Sequence, residues 1–222
     1  MSLSPFEYDN VKGFNDVDPL VWTHPVSREY ANSGEQERGN DIEIRTCDCI
    51  KEEFPEFGES ILLRSKHKRS TGRPDIAFTS PVSKIEKYIE VKSVLLNPEK
   101  KEKKEVTRIK PYDQGESGNQ NFDYLVIVFI HPTRGIIIRS MTHEECVKGI
   151  ELNIFKWRPY WPGYGFTVND FDDLIHTELK MYNNFECIEN YERQTFHSLW
   201  GVEVNMSWLR KKDSLVQTRL FV

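Results

Sequence analysis

The stretch Phe122 to Ile130, FDYLVIVFI, constrains this chain more than any other part of it. From Tyr124 onward it is unbroken apolar sequence, far short of the roughly 20 residues needed to span a bilayer. Such a run predicts a strand buried on both faces, because a half-exposed strand would alternate apolar with polar residues. Gly135 to Arg139, GIIIR, predicts a neighbouring strand reached through the turn His131 to Arg134. Upstream, Ile42, Cys47, Ile50 and Phe54 recur at close to helical spacing and stop before Pro55 and Gly58, which predicts a helix over Glu35 to Phe54. Three strand-like segments follow, Ser60 to Arg64, Asp75 to Phe78 and Lys87 to Val94, and their short polar separators predict an antiparallel meander.

The remaining segments are read around that frame. Residues 1–34 carry breakers at Pro5, Gly13, Pro19, Pro25 and Gly34 and predict an irregular arm. Pro98 to Lys110 has the composition of an exposed basic helix, with Val106 and Ile109 its apolar residues. Thr142 opens a short helix, with Glu145 at capping-box spacing. Residues 155–166, FKWRPYWPGYGF, hold six aromatics among two prolines and two glycines, which excludes a regular helix or a central strand and predicts an irregular lobe of core, the alternative being a surface that stacks on unpaired bases or wedges between base steps. Thr167 to Tyr182 predicts a helix, and Tyr191 to Val222 predicts closing strands. The whole is expected to be one domain over 1–222: an arm to residue 34, a core over 35–140 and a C-terminal elaboration over 141–222 that could serve recognition.

Composition narrows the class. With 222 residues, 38% hydrophobic and 29% charged, the chain can bury a sizeable core without staples. Cys47, Cys49, Cys146 and Cys187 form no CxxC pair, and no signal-peptide pattern opens the chain, so a reduced, cytoplasmic protein without membrane insertion is expected. The formal net charge of −5 hides a division: residues 61–111 hold 14 of the 30 Lys and Arg but 6 of the 35 Asp and Glu. A basic stretch on an acidic protein suits steering of a polyanion to one face.

The chemistry gathers at Arg73-Pro74-Asp75-Ile76-Ala77-Phe78 and Lys87-Tyr88-Ile89-Glu90-Val91-Lys92-Ser93. Side chains alternate along a strand, so Glu90 and Lys92 share one face while Ile89 and Val91 take the other. If the Asp75 strand pairs antiparallel with the Glu90 strand, Asp75 and Glu90 can together hold one hard divalent cation such as Mg²⁺, with room left for waters and a phosphate oxygen. Lys92 would then stand beside the attacking water and favour the developing negative charge.

Pro74-Asp75 followed by Glu90-Val91-Lys92 resembles the motif of the PD-(D/E)xK nucleases, the restriction-endonuclease-like superfamily. Upstream, Gly39-Asn40-Asp41-Ile42-Glu43 resembles the glycine and helix-borne glutamate of archaeal Holliday junction resolvases and their relatives. The resemblance covers roughly residues 36–131. It implies an α/β fold with a mixed central sheet flanked by helices, and Mg²⁺-dependent hydrolysis of a DNA phosphodiester to 5′-phosphate and 3′-hydroxyl ends. Asp75 and Glu90 would be metal ligands, Lys92 would sit next to the water, and Glu43 would be an auxiliary acid. Within the superfamily a Type II restriction endonuclease is the first expectation, and a structure-selective resolvase or repair nuclease the second. A nucleic-acid-binding module without cleavage is the alternative from another class.

Phosphate contacts are expected from Ser93, from the basic loop carrying Lys66, Lys68, Arg69 and Arg73, and from Lys100, Lys101, Lys103 and Lys104. Cutting two strands with one site per chain implies a homodimer. The six histidines lack HxH or HxxxH spacing, which argues against zinc, and Asp170, Asp172 and Asp173 read as helix-start acids.

Overall fold

The apolar run does form the buried strand around which the protein is organised. The computed structural model describes residues 17–55, 57, 61–63, 74–80, 84–96, 104–111, 122–157, 163–168, 179–189 and 191. Its elements are helices α1 (Pro25–Asn32) and α2 (Glu35–Glu53), strands β1 (Leu62–Leu63), β2 (Ile76–Thr79), β3 (Glu86–Leu95), β4 (Lys104–Ile109), β5 (Tyr124–His131) and β6 (Gly135–Thr142), helix α3 (His143–Glu151), and strands β7 (Lys156–Trp157), β8 (Tyr164–Val168) and β9 (Tyr182–Asn183). Six strands form one sheet in the order β1-β2-β3-β5-β6-β9. The pair β3–β5 is parallel and the others are antiparallel, which makes a mixed and mostly antiparallel sheet flanked by helices.

Strand β5 shows why both of its faces are apolar. Tyr124, Val126, Val128 and Ile130 join one buried cluster with Trp22, Tyr30, Ile42, Cys47 and Ile50, from α1, α2 and the segment leading into α1. Leu125, Ile127 and Phe129 join a second cluster with Ile109, Cys146, Phe155 and Phe166 on the opposite face. A period of two thus divides one strand between two cores. The second core is roofed by a three-stranded sheet in the order β4-β8-β7. Because β3 and β5 are parallel, the chain must cross over between them, and it does so through β4 of that second sheet.

Several expectations are corrected. Pro98 to Lys110 is not a helix over its described part: Lys104–Ile109 is β4, antiparallel to β8. A register shift between Val106 and Ile109 explains the misreading, since a bulge in a strand spaces two apolar residues three apart, as a helix would. The arm contains α1, because Pro25 occupies the first turn of a helix and starts it rather than breaking it. His24, just before α1, donates its backbone N–H to Pro132 O at 2.9 Å and so ties α1 to the β5–β6 turn. The expected helix over Thr167 to Tyr182 fails at both ends, since Thr167 and Val168 close β8 and Tyr182 opens β9, each held by strand pairing. Its middle, with Asp170, Asp172 and Asp173, lies outside the described residues, as do residues 1–16 and 192–222.

The meander β1-β2-β3 and the β5–β6 hairpin form as read. So does the capping box: Thr142 Oγ1 accepts from Glu145 N at 3.3 Å, and Glu145 Oε2 accepts from Thr142 N at 2.9 Å. Residues 155–166 are not an irregular lobe over their described part: Lys156–Trp157 is β7 and Tyr164–Val168 is β8, the central strand of the second sheet, with the prolines Pro159 and Pro162 falling between the two strands. Phe155 and Phe166 are packed in the second core, 5.0 Å apart between ring centroids. Among the described residues no helix is long and apolar enough to cross a membrane.

Candidate functional site

Strand β2 begins at Ile76, opposite Ile89, so β3 runs on beyond the end of its neighbour. Asp75 precedes β2 by one residue and stands level with Glu90. Its Oδ2 accepts the Val91 amide hydrogen at 2.9 Å, so a side chain takes over a backbone donor on that edge of β3. Past this point the other edge of β3 stays in register with β5, with Glu90 against Leu125 and Lys92 against Ile127.

The alternation of β3 then decides what meets there. Ile89 and Val91 enter the core beneath α1 and α2, while Tyr88, Val94 and Leu96 belong to the core beneath the second sheet. Glu90 and Lys92 lie between those last residues on the same face. The Lys92 ammonium forms a close ion pair with Glu90 Oε1, and both side chains are about one-fifth exposed, at 21% and 20%. Lys92 Nζ also reaches Val91 O at 3.5 Å.

The electrostatics tie four residues together. Burial raises the Glu90 carboxyl above the ordinary glutamate range; the Lys92 charge opposes that shift, and Asp75 and then Glu43 add to it. Burial works to lower Lys92, but Glu90, Asp75 and Glu43 hold its ammonium above the ordinary lysine value. Glu90 is raised chiefly by burial and Lys92 by its acidic neighbours, so both groups hold their protons more tightly than in water.

Two acids of α2, Glu43 and Asp41, have different partners. Glu43 is half-buried, and its charge acts on both Glu90 and Lys92. Asp41 is committed elsewhere: its Oδ2 accepts from Tyr30 Oη at 2.6 Å and from Arg45 Nε at 2.7 Å, locking α1 against α2.

Not every expected contact residue joins the site. Ser93 pairs with Val128, and the alternation sets it on the Ile89 and Val91 face, away from Glu90 and Lys92. Lys66, Lys68, Arg69, Arg73, Lys100, Lys101 and Lys103 lie outside the described residues, and Lys104 is placed only as the first residue of β4. One positioning residue was missed in the sequence. Asp123 accepts from Tyr88 N at 2.8 Å through Oδ2 and pairs with Lys87 Nζ at 3.0 Å through Oδ1, which fixes the start of β3 beside β5. An acid set immediately before so apolar a run was its signal.

Asp75 and Glu90 offer the hard oxygen donors that Mg²⁺ takes, in the number of carboxylates it commonly uses while keeping several waters. Among the described residues no group of three or more His, Cys, Asp or Glu is gathered to hold a metal.

No protein-family model matches the chain, and no curated protein matches it. Among solved structures it is similar to that of a bacterial homing endonuclease, I-Ssp6803I, at 14% identity and a TM-score of 0.39, over 75% of this chain and 97% of that one.

Proposed function

We propose that the protein is a Mg²⁺-dependent endonuclease that hydrolyses DNA phosphodiester bonds, with Asp75 and Glu90 as metal ligands and Lys92 beside the attacking water. The observation that carries this reading is the juncture of β2 and β3. There one carboxylate is fixed on a backbone amide, a second carboxylate stands level with it, and an ammonium is paired to the second.

The chemistry follows from those groups. Bound Mg²⁺ would lower the pKa of a coordinated water and offset charge on the phosphate. Asp75 and Glu90 supply the negative charge that attracts the cation, and the Glu43 field adds to it. Lys92, held protonated by its acidic neighbours, would stabilise the hydroxide as the water passes its proton to bulk solvent, and the charge on the phosphoryl oxygens as the new P–O bond forms. The bond to the 3′ oxygen breaks, leaving a 3′-hydroxyl and a 5′-phosphate. Within this activity we read a Type II restriction endonuclease, acting as a homodimer so that two sites meet two strands.

The test is incubation of supercoiled plasmid with the purified protein. Nicking or linearisation with Mg²⁺, abolished by chelator, with ends that a ligase rejoins without a kinase step, is the expected result. Discrete fragments of fixed end sequence would establish the restriction type, and cleavage that persists in chelator would overturn the metal assignment.

A further inference from the structure

The second sheet lies over the face of β3 from which Glu90 and Lys92 project, because Val94 and Leu96 of that face share a core with Ile109 of β4 and Phe166 of β8. Its outer edge is β7, a two-residue strand paired with β8 alone, and both of its residues, Lys156 and Trp157, are exposed. Trp157 is 42% exposed, a large indole surface to leave in water. It meets the Tyr164 ring edge-to-face, with centroids 5.3 Å apart and planes at 73°. That contact orients the indole, and its exposed surface can take a second ring.

The charge of this sheet is unlike that of the rest of the chain. Its three strands carry Lys104, Arg108 and Lys156 against Glu105, in a protein of net charge −5. An exposed, pinned aromatic within a basic segment matches the pattern by which single-stranded nucleic acid is held: backbone by charge, base by stacking.

We propose that the β7–β8 edge is a nucleic-acid contact surface, on which Trp157 stacks against a base unstacked from the DNA. Lys156 adds charge for the adjoining phosphate. This rests on the nuclease reading for its substrate class, but it concerns binding and is separable from cleavage.

The test uses the full chain in chelator, so that nothing is cut, and fluorescence anisotropy with two labelled DNAs: an intact duplex and the same duplex with a one-nucleotide gap. W157A and W157L should weaken binding to the gapped DNA about tenfold, as loss of one base–aromatic stack does, while W157F stays near wild type. Loss on the intact duplex should be smaller. Thermal melting of each variant separates lost contact from lost fold, and W157L preserves apolar bulk that W157A removes. Wild-type affinity in W157A and W157L, equal losses in W157F and W157A, or no DNA binding by the wild type would each overturn the proposal. A Trp157 effect on binding with cleavage indifferent to Asp75 would instead retain this surface and remove the nuclease site.

Discussion

The Asp75 carboxylate accepts the amide hydrogen of Val91 at 2.9 Å, and so the acid before β2 is fixed to the strand that carries Glu90 and Lys92. That bond fixes the Asp75 carboxylate relative to the backbone of β3. It also gives Asp75 a structural task that can be separated from any chemistry.

Asp75→Asn should therefore retain most of the stability of the wild type, since an amide oxygen still accepts from Val91 N. Asp75→Ala should lose roughly 1.5–3 kcal/mol, the range for a hydrogen bond to a charged group. Urea unfolding of both variants is the check, and equal stability of the two would contradict the assigned bond.

Lys92 and Glu90 should couple strongly. Lys92→Met leaves Glu90 beside Asp75 and Glu43 without its cation, and about 2 kcal/mol should be lost, less than the 3–5 of a fully buried pair because water still reaches one-fifth of each side chain. The double change Glu90→Gln with Lys92→Met should recover much of that loss. A denaturant double-mutant cycle measures the coupling, and additive losses would contradict it.

Burial sets a pH dependence in the metal-free protein. The Glu90 pKa is raised in the fold, so its contribution to stability is full below the ordinary glutamate range and fades as pH rises through the raised value. Lys92 is raised also, so its contribution persists until the solution is more alkaline than the ordinary lysine value. Glu90→Gln should consequently gain on the wild type as pH rises above the ordinary glutamate range. A variant that loses ground over that window in chemical denaturation would show that Lys92 outweighs burial.

Gly135 closes the β5–β6 turn at φ +84°, and a Cβ there would come within 2.8 Å of His24 Nε2. Gly135→Ala should cost more than the roughly 1 kcal/mol of a positive-φ penalty alone, because α1 is held to this turn through His24. Adding His24→Ala should remove the steric part and leave the backbone part. Melting curves of the single and double variants measure the two, and no relief in the double variant would contradict the close approach.

The frame of the protein was legible where one physical signal ruled. The apolar run of β5, the alternation of β3 and the Thr142 capping box each express a single period or spacing, and each formed as read. Where two signals competed, the local one misled. The bulge in β4 imitated helical spacing, Pro25 read as a breaker although it sits at a helix start, and β8 and β9 took the ends of a helix-like segment by pairing across the fold. Asp75, Glu90 and Lys92 could be placed together from strand parity alone. Glu43 came from the resemblance; what periodicity did not show is that Tyr30 and Arg45 claim its neighbour Asp41 from elsewhere along the two helices.

The most direct measurement is the Mg²⁺-dependent cleavage rate of supercoiled plasmid for the wild type beside Asp75→Asn, Glu90→Gln and Lys92→Met, each first shown to be folded. The expected result is cleavage by the wild type and a loss of at least ~100-fold in every variant, the scale on which removal of one electrostatic catalytic group acts. Cleavage at the wild-type rate by folded Asp75→Asn and Glu90→Gln, or a folded wild type that cuts no DNA at any Mg²⁺ concentration, would contradict the assignment of this site.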